Sequence, residues 1–276
     1  MRMFKKIAIV GTGLIGGSLA LAIKNKKLAR VVIGISQHKK SLFMARKMHA
    51  IDSGSQDLSI IRDADMVILA TPVNIIIKEA KEISKIIKPG CIICDVGSTK
   101  NEIVSKLTKI LPGFVGTHPI AGSEKRGMIN ADSSIFKNSL CILTPVKNTD
   151  NTALNKVKNF WLKLGARIII MDPRQHDKIL SYVSHLPHAI AFSLINSIPV
   201  GHFRFTANSL RDTTRIAASD TGLWLDIFLS NRNNILKSIK VFEHNLSLLK
   251  KSLTNKDRKS LRRILSKAKA QRIKLH

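Results

Sequence analysis

A doubly wound α/β unit with a mainly parallel sheet, followed by an all-α unit, is the fold class that this 276-residue sequence predicts. Three observations carry the prediction. Short apolar runs alternate with longer helical stretches from the N-terminus to about Met171, the order expected when helices cover both faces of a parallel sheet. A glycine-rich turn joins the first apolar run to the first helix. Strand signals then stop at Asp172-Pro173, and every later stretch reads as helix. The expected units are therefore residues 1–171 and 172–276.

Each element follows from local chemistry. Ile7 to Val10 is short, apolar and rich in β-branched residues, so it reads as a strand, and Leu14 to Lys24 as the helix after it. Val31 to Ile35 is a second strand, with a helix to about Lys47. Met66 to Ala70 is a third, ended by Thr71-Pro72 and followed by a helix from Ile75 to Ile87. Pro89-Gly90 breaks that helix before the strand Cys91 to Val96. A helix from about Thr99 to Ile110 and the strand Gly113 to Thr117 come next. Ser139 to Thr144 and Arg167 to Met171 are further strands, separated by a helix from about Thr152 to Leu164. Asp172 suits a helix cap and Pro173 a first turn. The helices then run from Arg174 to about Ser197, Thr206 to Ala218, Leu223 to about Lys251 and Asp257 to Lys274, with Pro187 kinking the first.

Composition narrows the function. Apolar residues make up 44% and charged residues 23%, which is ordinary globular usage and argues against disorder. Against 18 acidic residues stand 46 basic ones, a net charge of +28. Such an excess suits an anionic substrate or a nucleic acid. It is spread along the chain, densest from Lys250 to Lys274, with no zinc-finger spacing or RNA-binding aromatic motif beside it. Nucleic-acid binding is therefore not expected, and filter binding at physiological salt would expose it. Three cysteines make no disulfide framework and fit a reducing, cytoplasmic location. Cys91 and Cys94 form a CxxC inside a strand, where alternation sends the two thiols to opposite faces. Residues 7 to 23 imitate a signal sequence, but four glycines interrupt them. No membrane span is expected.

Gly11-Thr12-Gly13-Leu14-Ile15-Gly16 follows the first strand directly and opens the first helix. In that setting the first glycine permits the tight turn, the second admits a pyrophosphate to the backbone, and the third lets helix pack on strand. The helix N-terminus offers free N–H groups and positive field to the phosphates. A site for NAD places an acid at the end of the second strand. Here the chain reads Ser36-Gln37-His38-Lys39-Lys40, with no acid in that strand end. Ser36, His38 and Lys39 suit a 2′-phosphate, so NADP is expected, with NAD possible. Thr71, Pro72 and Asp95, at the ends of later strands, complete the expected cofactor contacts.

Further polar segments fall where a doubly wound sheet presents ligands, at the carboxyl ends of strands. They are Leu69-Ala-Thr-Pro-Val73, Asp95-Val-Gly-Ser-Thr-Lys100 and Gly116-Thr-His-Pro-Ile-Ala-Gly-Ser-Glu-Lys125. Ser184-His-Leu-Pro-His188 and Arg211-Asp-Thr-Thr-Arg215 lie in the helical part. At these residues, in this order and with Trp224 beyond them, the sequence resembles the prephenate dehydrogenase family, which includes arogenate and cyclohexadienyl dehydrogenases. The resemblance implies a Rossmann domain joined to a helical dimerisation domain, and hence a homodimer. It implies oxidative decarboxylation of prephenate, or of arogenate, in tyrosine biosynthesis.

By this resemblance His118 is the catalytic histidine, drawing the proton from the substrate's ring hydroxyl as hydride leaves the same carbon. Ser98 bridges hydroxyl, histidine and nicotinamide, and also suits a cap for a helix starting at Thr99. Arg215 holds a substrate carboxylate, with Arg211 one turn earlier. Ser184 and His188 contact substrate, Glu124 gates or orients the site, and Trp224 walls it. No metal is implied, since nothing is spaced to complete a set with the HxxH pair His185 and His188. A β-hydroxyacid dehydrogenase would share the fold but leave His118-Pro119 without a role. Within these residues no ACT-type regulatory domain or fused chorismate mutase is expected.

Overall fold

The alternation along each apolar run decides the architecture. In the strand β1 (Phe4–Val10), Ile7 and Ile9 face one side of the sheet and Ala8 and Val10 the other, and all four are buried. The computed structural model describes residues 2–122 and 125–275, and falls into two compact units, Met1–Asn231 and Arg232–His276.

In the first unit α1 (Leu14–Asn25) connects β1 to β2 (Ala29–Ile35), and α2 (Lys39–Lys47) leads to β3 (Ser53–Ser55). β4 (Met66–Leu69), α3 (Val73–Ile86), β5 (Ile92–Asp95), α4 (Asn101–Leu107) and β6 (Phe114–Ile120) follow, then β7 (Leu140–Thr144), α5 (Asn151–Leu164) and β8 (Arg167–Ile170). The eight strands lie in the order β3-β2-β1-β4-β5-β6-β7-β8. All pairings are parallel except β6 with β7, where His118 stands opposite Ile142. The seven expected strands are present. β3 was not expected, because Ser-Gly-Ser carries no apolar signal and is held as a strand only by pairing with β2.

Two buried clusters cover the two faces of the sheet. Cys94 belongs to one and Cys91 to the other, as alternation requires, and burial pushes both thiols up. Neither is a redox thiolate.

Helices α6 (Pro173–Leu180), α7 (Leu186–Asn196), α8 (Asn208–Thr214) and α9 (Thr221–Ser230) complete this unit. Asp172 caps α6 through the N–H groups of Arg174 and Gln175. The expected kink at Pro187 takes a particular form. Residues Ser181–His185 make a single π-turn in which the Leu186 N–H reaches the Ser181 carbonyl. A proline two residues after the turn leaves a carbonyl without its helical donor, and widening the helix accommodates it. The helix expected from Thr206 to Ala218 ends at Thr214 and continues as a 3₁₀ turn, Arg215–Ala218. The one expected from Leu223 to Lys251 breaks at Asn231, whose side chain is committed to tertiary hydrogen bonds.

The second unit is a helical hairpin, α10 (Arg232–Thr254) and α11 (Arg258–Ile273), with Asp257 capping α11 through the Ser260 N–H. Among the described residues no helix is long and apolar enough to cross a membrane.

Candidate active site

The glycine turn shapes a cavity of about 700 Å³ at the carboxyl ends of β1, β2 and β4. Gly11 takes φ +100°, and a Cβ there would lie 2.6 Å from the Ala70 carbonyl oxygen, so only glycine makes this turn. A Cβ on Gly13 would meet nothing within 4 Å, so its absence keeps open the space a pyrophosphate needs. No side chain caps α1 and its first turn carries no acid, which leaves the N–H groups and their field to a ligand. Thr71 Oγ1 is buried without a partner beside the same cavity. This arrangement fits a dinucleotide: an anion cradle, an open backbone and an orphaned hydroxyl at one strand end.

A second set of groups gathers at the ends of β5 and β6. Asp95 is fully buried. Its carboxylate accepts from the Gly97 N–H at 2.9 Å and the Thr117 N–H at 3.1 Å, and pairs with the equally buried Lys100 ammonium. One carboxylate thus holds the turn carrying Ser98 and the strand carrying His118. From α6, Asp177 reaches across to the start of α4, accepting from the Lys100 N–H at 2.7 Å and the Asn101 N–H at 3.0 Å.

The same Asp177 also orders a chain of imidazoles. His176 Nδ1 lies 2.8 Å from Asp177 Oδ1, and His118 Nδ1 lies 2.8 Å from His176 Nε2. An ionised carboxylate only accepts, so His176 donates from Nδ1 and is left with a lone pair on Nε2. His118 must then donate from Nδ1, which leaves His118 Nε2 as the acceptor. Burial, followed by His176, Lys100 and His185, holds the His118 pKa well below its ordinary value. The ring is therefore neutral at pH 7, with an acceptor in place to take a proton.

The helical wall is aromatic and cationic. His188 stacks on Trp224 with centroids 3.6 Å apart, and its Nδ1 donates to the Ser184 carbonyl at 2.9 Å. Burial lowers the His188 pKa despite its hydrogen bond to the Ser184 carbonyl, and the Arg215 charge lowers it further. His185 is buried against Asn231, 3.0 Å away, with its pKa pushed down to about 4 by burial. Among the described residues no three His, Cys, Asp or Glu side chains converge to hold a metal.

Comparison with known proteins identifies the family. The model of the prephenate dehydrogenase nucleotide-binding domain matches residues 19–170, and that of the family's dimerization domain matches residues 172–267. The chain belongs to the prephenate dehydrogenase family. It is 36% identical to a prephenate dehydrogenase of Bacillus subtilis over 98% of this chain and 76% of that one. It is 35% identical to a cyclohexadienyl dehydrogenase of Zymomonas mobilis, over 93% and 91% of the two. A prephenate dehydrogenase from A. aeolicus, solved with hydroxyphenyl propionate and NAD+, superposes with a TM-score of 0.94 at 34% identity, covering 99% and 98% of the chains. Its relatives make this family member a nicotinamide-dependent oxidoreductase.

Within the family frame the expected site residues fall into three groups. Gly11, Thr12, Gly13, Ser36, His38, Thr71 and Pro72 line the dinucleotide cavity. Leu14, Ile15 and Gly16 form the first turn of α1 beside it. His118 belongs to the imidazole chain, Ser184, His188 and Trp224 gather on the helical wall, and Arg211 lies on α8 with Arg215 at its end.

Other roles are corrected. Asp95 has no exposed surface, so it acts through Gly97, Thr117 and Lys100 instead of touching cofactor. Lys40, and not Lys39, lines the cavity, because α2 begins at Lys39 and the next residue turns towards the opening. The Thr12 hydroxyl turns inward onto Ser41, 2.8 Å away. Ser98 does not cap α4; Asp177 does. Glu124 lies outside the described residues.

His176, Asp177, Lys100, Asn231 and Glu79 were missed by sequence reasoning. For the first two a signal existed. The buried stripe of α6 is Pro173, His176, Asp177 and Leu180, so two polar residues sit at core positions of an amphipathic helix.

Proposed function

We propose that the chain oxidises and decarboxylates prephenate to 4-hydroxyphenylpyruvate, with NADP as its preferred cofactor, as a homodimer in a reducing cytoplasm. The observation that carries the reaction is the Asp177–His176–His118 chain, which presents an unprotonated His118 Nε2 on the strand that Asp95 ties to the Ser98 turn. When bound, the nicotinamide supplies the acceptor for hydride. His118 Nε2 accepts the proton of the ring hydroxyl as the carbon beneath it becomes a carbonyl, and Ser98 holds that hydroxyl. The ring carboxylate leaves as CO2, its electron pair completes the aromatic ring, and the carbonyl oxygen takes the proton back from His118 to become the phenol. Arg215, with Arg211 near it, matches a substrate carboxylate by charge and bidentate geometry. The 35% identity to a cyclohexadienyl dehydrogenase supports arogenate as a second substrate.

NADP is supported by Ser36, His38 and Lys40 around the cavity. The test crosses prephenate and arogenate with NAD and NADP while following reduced nicotinamide. Prephenate with NADP is expected to be the best pair, and Ser36→Asp to reverse the cofactor preference by repelling the 2′-phosphate. A wild-type preference for NAD of about tenfold or more would be incompatible with this reading.

The domain division at 171/172 is supported by the two family matches, which meet there. Dimerisation is supported by apolar side chains left in water. On α9, Ile227 is buried while Leu225 and Leu229 are exposed; on α10, Ile235 is buried while Leu236 and Leu246 are exposed. A helix with apolar residues on a second face needs a second partner. Sedimentation at micromolar concentration is expected to give a dimer; a monomer would refute it. The reducing location is supported by Cys91, Cys94 and Cys141, all free and buried.

A further inference from the structure

Glu79 is the one acidic side chain among the described residues that line the dinucleotide cavity. It sits on α3 one turn beyond Ile75, on the same helix face. Its Oε2 is closed to solvent and has no hydrogen-bond partner. The charges that act on it, Glu82 and Lys78, belong to its own helix, so neither His38 nor Lys40 neutralises it. Burial raises its pKa. A carboxylate oxygen in this state is destabilising until a donor reaches it.

The rest of the lining says which donor arrives. The Gly11–Gly13 turn takes the pyrophosphate, and the end of β2 takes the adenosine ribose. Met44, Ile75 and Ile129 remain, an apolar lining suited to the faces of a flat base. The ring edge of adenine carries several acceptors and a single strong donor, the 6-amino group. We propose that Glu79 reads the adenine base, with Oε2 accepting a hydrogen bond from its 6-amino group. The inference rests on reading the cavity as a dinucleotide site. It makes the site selective against 6-oxo purines, whose oxygen would face the carboxylate.

The test is calorimetric binding of NADP and of its hypoxanthine analogue to the full chain, in wild type, Glu79→Gln and Glu79→Ala. Wild type is expected to favour the adenine form on the order of ten- to a hundredfold. Alanine removes the acceptor and brings the two affinities within about threefold of each other. Glutamine, which both accepts and donates, narrows the ratio by improving the hypoxanthine form. Equal affinities in wild type, or a ratio unchanged in both variants, overturns the role of Glu79 and leaves the dinucleotide site standing. Wild-type protein that binds neither dinucleotide overturns the reading of the cavity itself.

Discussion

Replacing His118 with asparagine is expected to lower turnover by about 100-fold or more while leaving dinucleotide affinity unchanged. The loss is large because the ring is prepared for one task. Asp177 sets the tautomer of His176, and His176 in turn fixes the Nδ1 proton of His118. Asparagine keeps a polar group but cannot take a proton near neutral pH. Cofactor affinity survives because the cavity is built from the ends of β1, β2 and β4, and His118 stands on β6.

The same geometry sets the pH profile of the wild type. The active form of His118 is deprotonated, so the rate is full above its pKa and falls as pH drops through it. Burial and the neighbouring His176, Lys100 and His185 all lower that pKa. The acid limb of kcat/KM therefore lies well below 6.5, the usual imidazole value, and activity stays flat through neutrality. A limb at or above 6.5, or near-normal turnover in His118→Asn, would remove this residue from the role of base.

Arg215→Ala is expected to raise the KM for prephenate far more than it lowers kcat. A carboxylate is already present in the substrate before reaction, so a guanidinium that holds it contributes mainly uniform binding. Arg215 is exposed, so solvent screens the contact. The expected loss is about 1.5 to 3 kcal/mol, or roughly ten- to a hundredfold in kcat/KM. Lysine recovers part of it, because an ammonium cannot reproduce the two-pronged contact. Arg211→Ala should cost less, since α8 ends at Thr214 and the two side chains do not share one continuous helix. The KM for cofactor should stay constant in all three variants. Unchanged prephenate kinetics in Arg215→Ala would break the link between the helical wall and substrate.

The parts of this protein that were legible in its sequence are those decided within a few residues. Strand alternation put Ile7 and Ile9 on one face and Ala8 and Val10 on the other. The glycine turn, the Asp172 cap and the break at Pro187 follow from backbone chemistry at single positions. His118, Ser98 and Arg215 were singled out because the short motifs that carry them resemble those of the prephenate dehydrogenase family. Their supports were not, since nothing local marks a contact across the fold. His118 meets His176 from 58 residues away, and Lys100 meets Asp177 from 77. Asp95 read as a ligand from its place at a strand end, and only packing showed that Lys100 and two N–H groups already saturate it. Glu79 carried no local signal, and only the fold turned that face of α3 towards the cavity at the ends of β1, β2 and β4. Periodicity and turn chemistry determine which elements form and which face is apolar. The order of strands in the sheet, a property of the whole chain, decides which polar groups share a buried site.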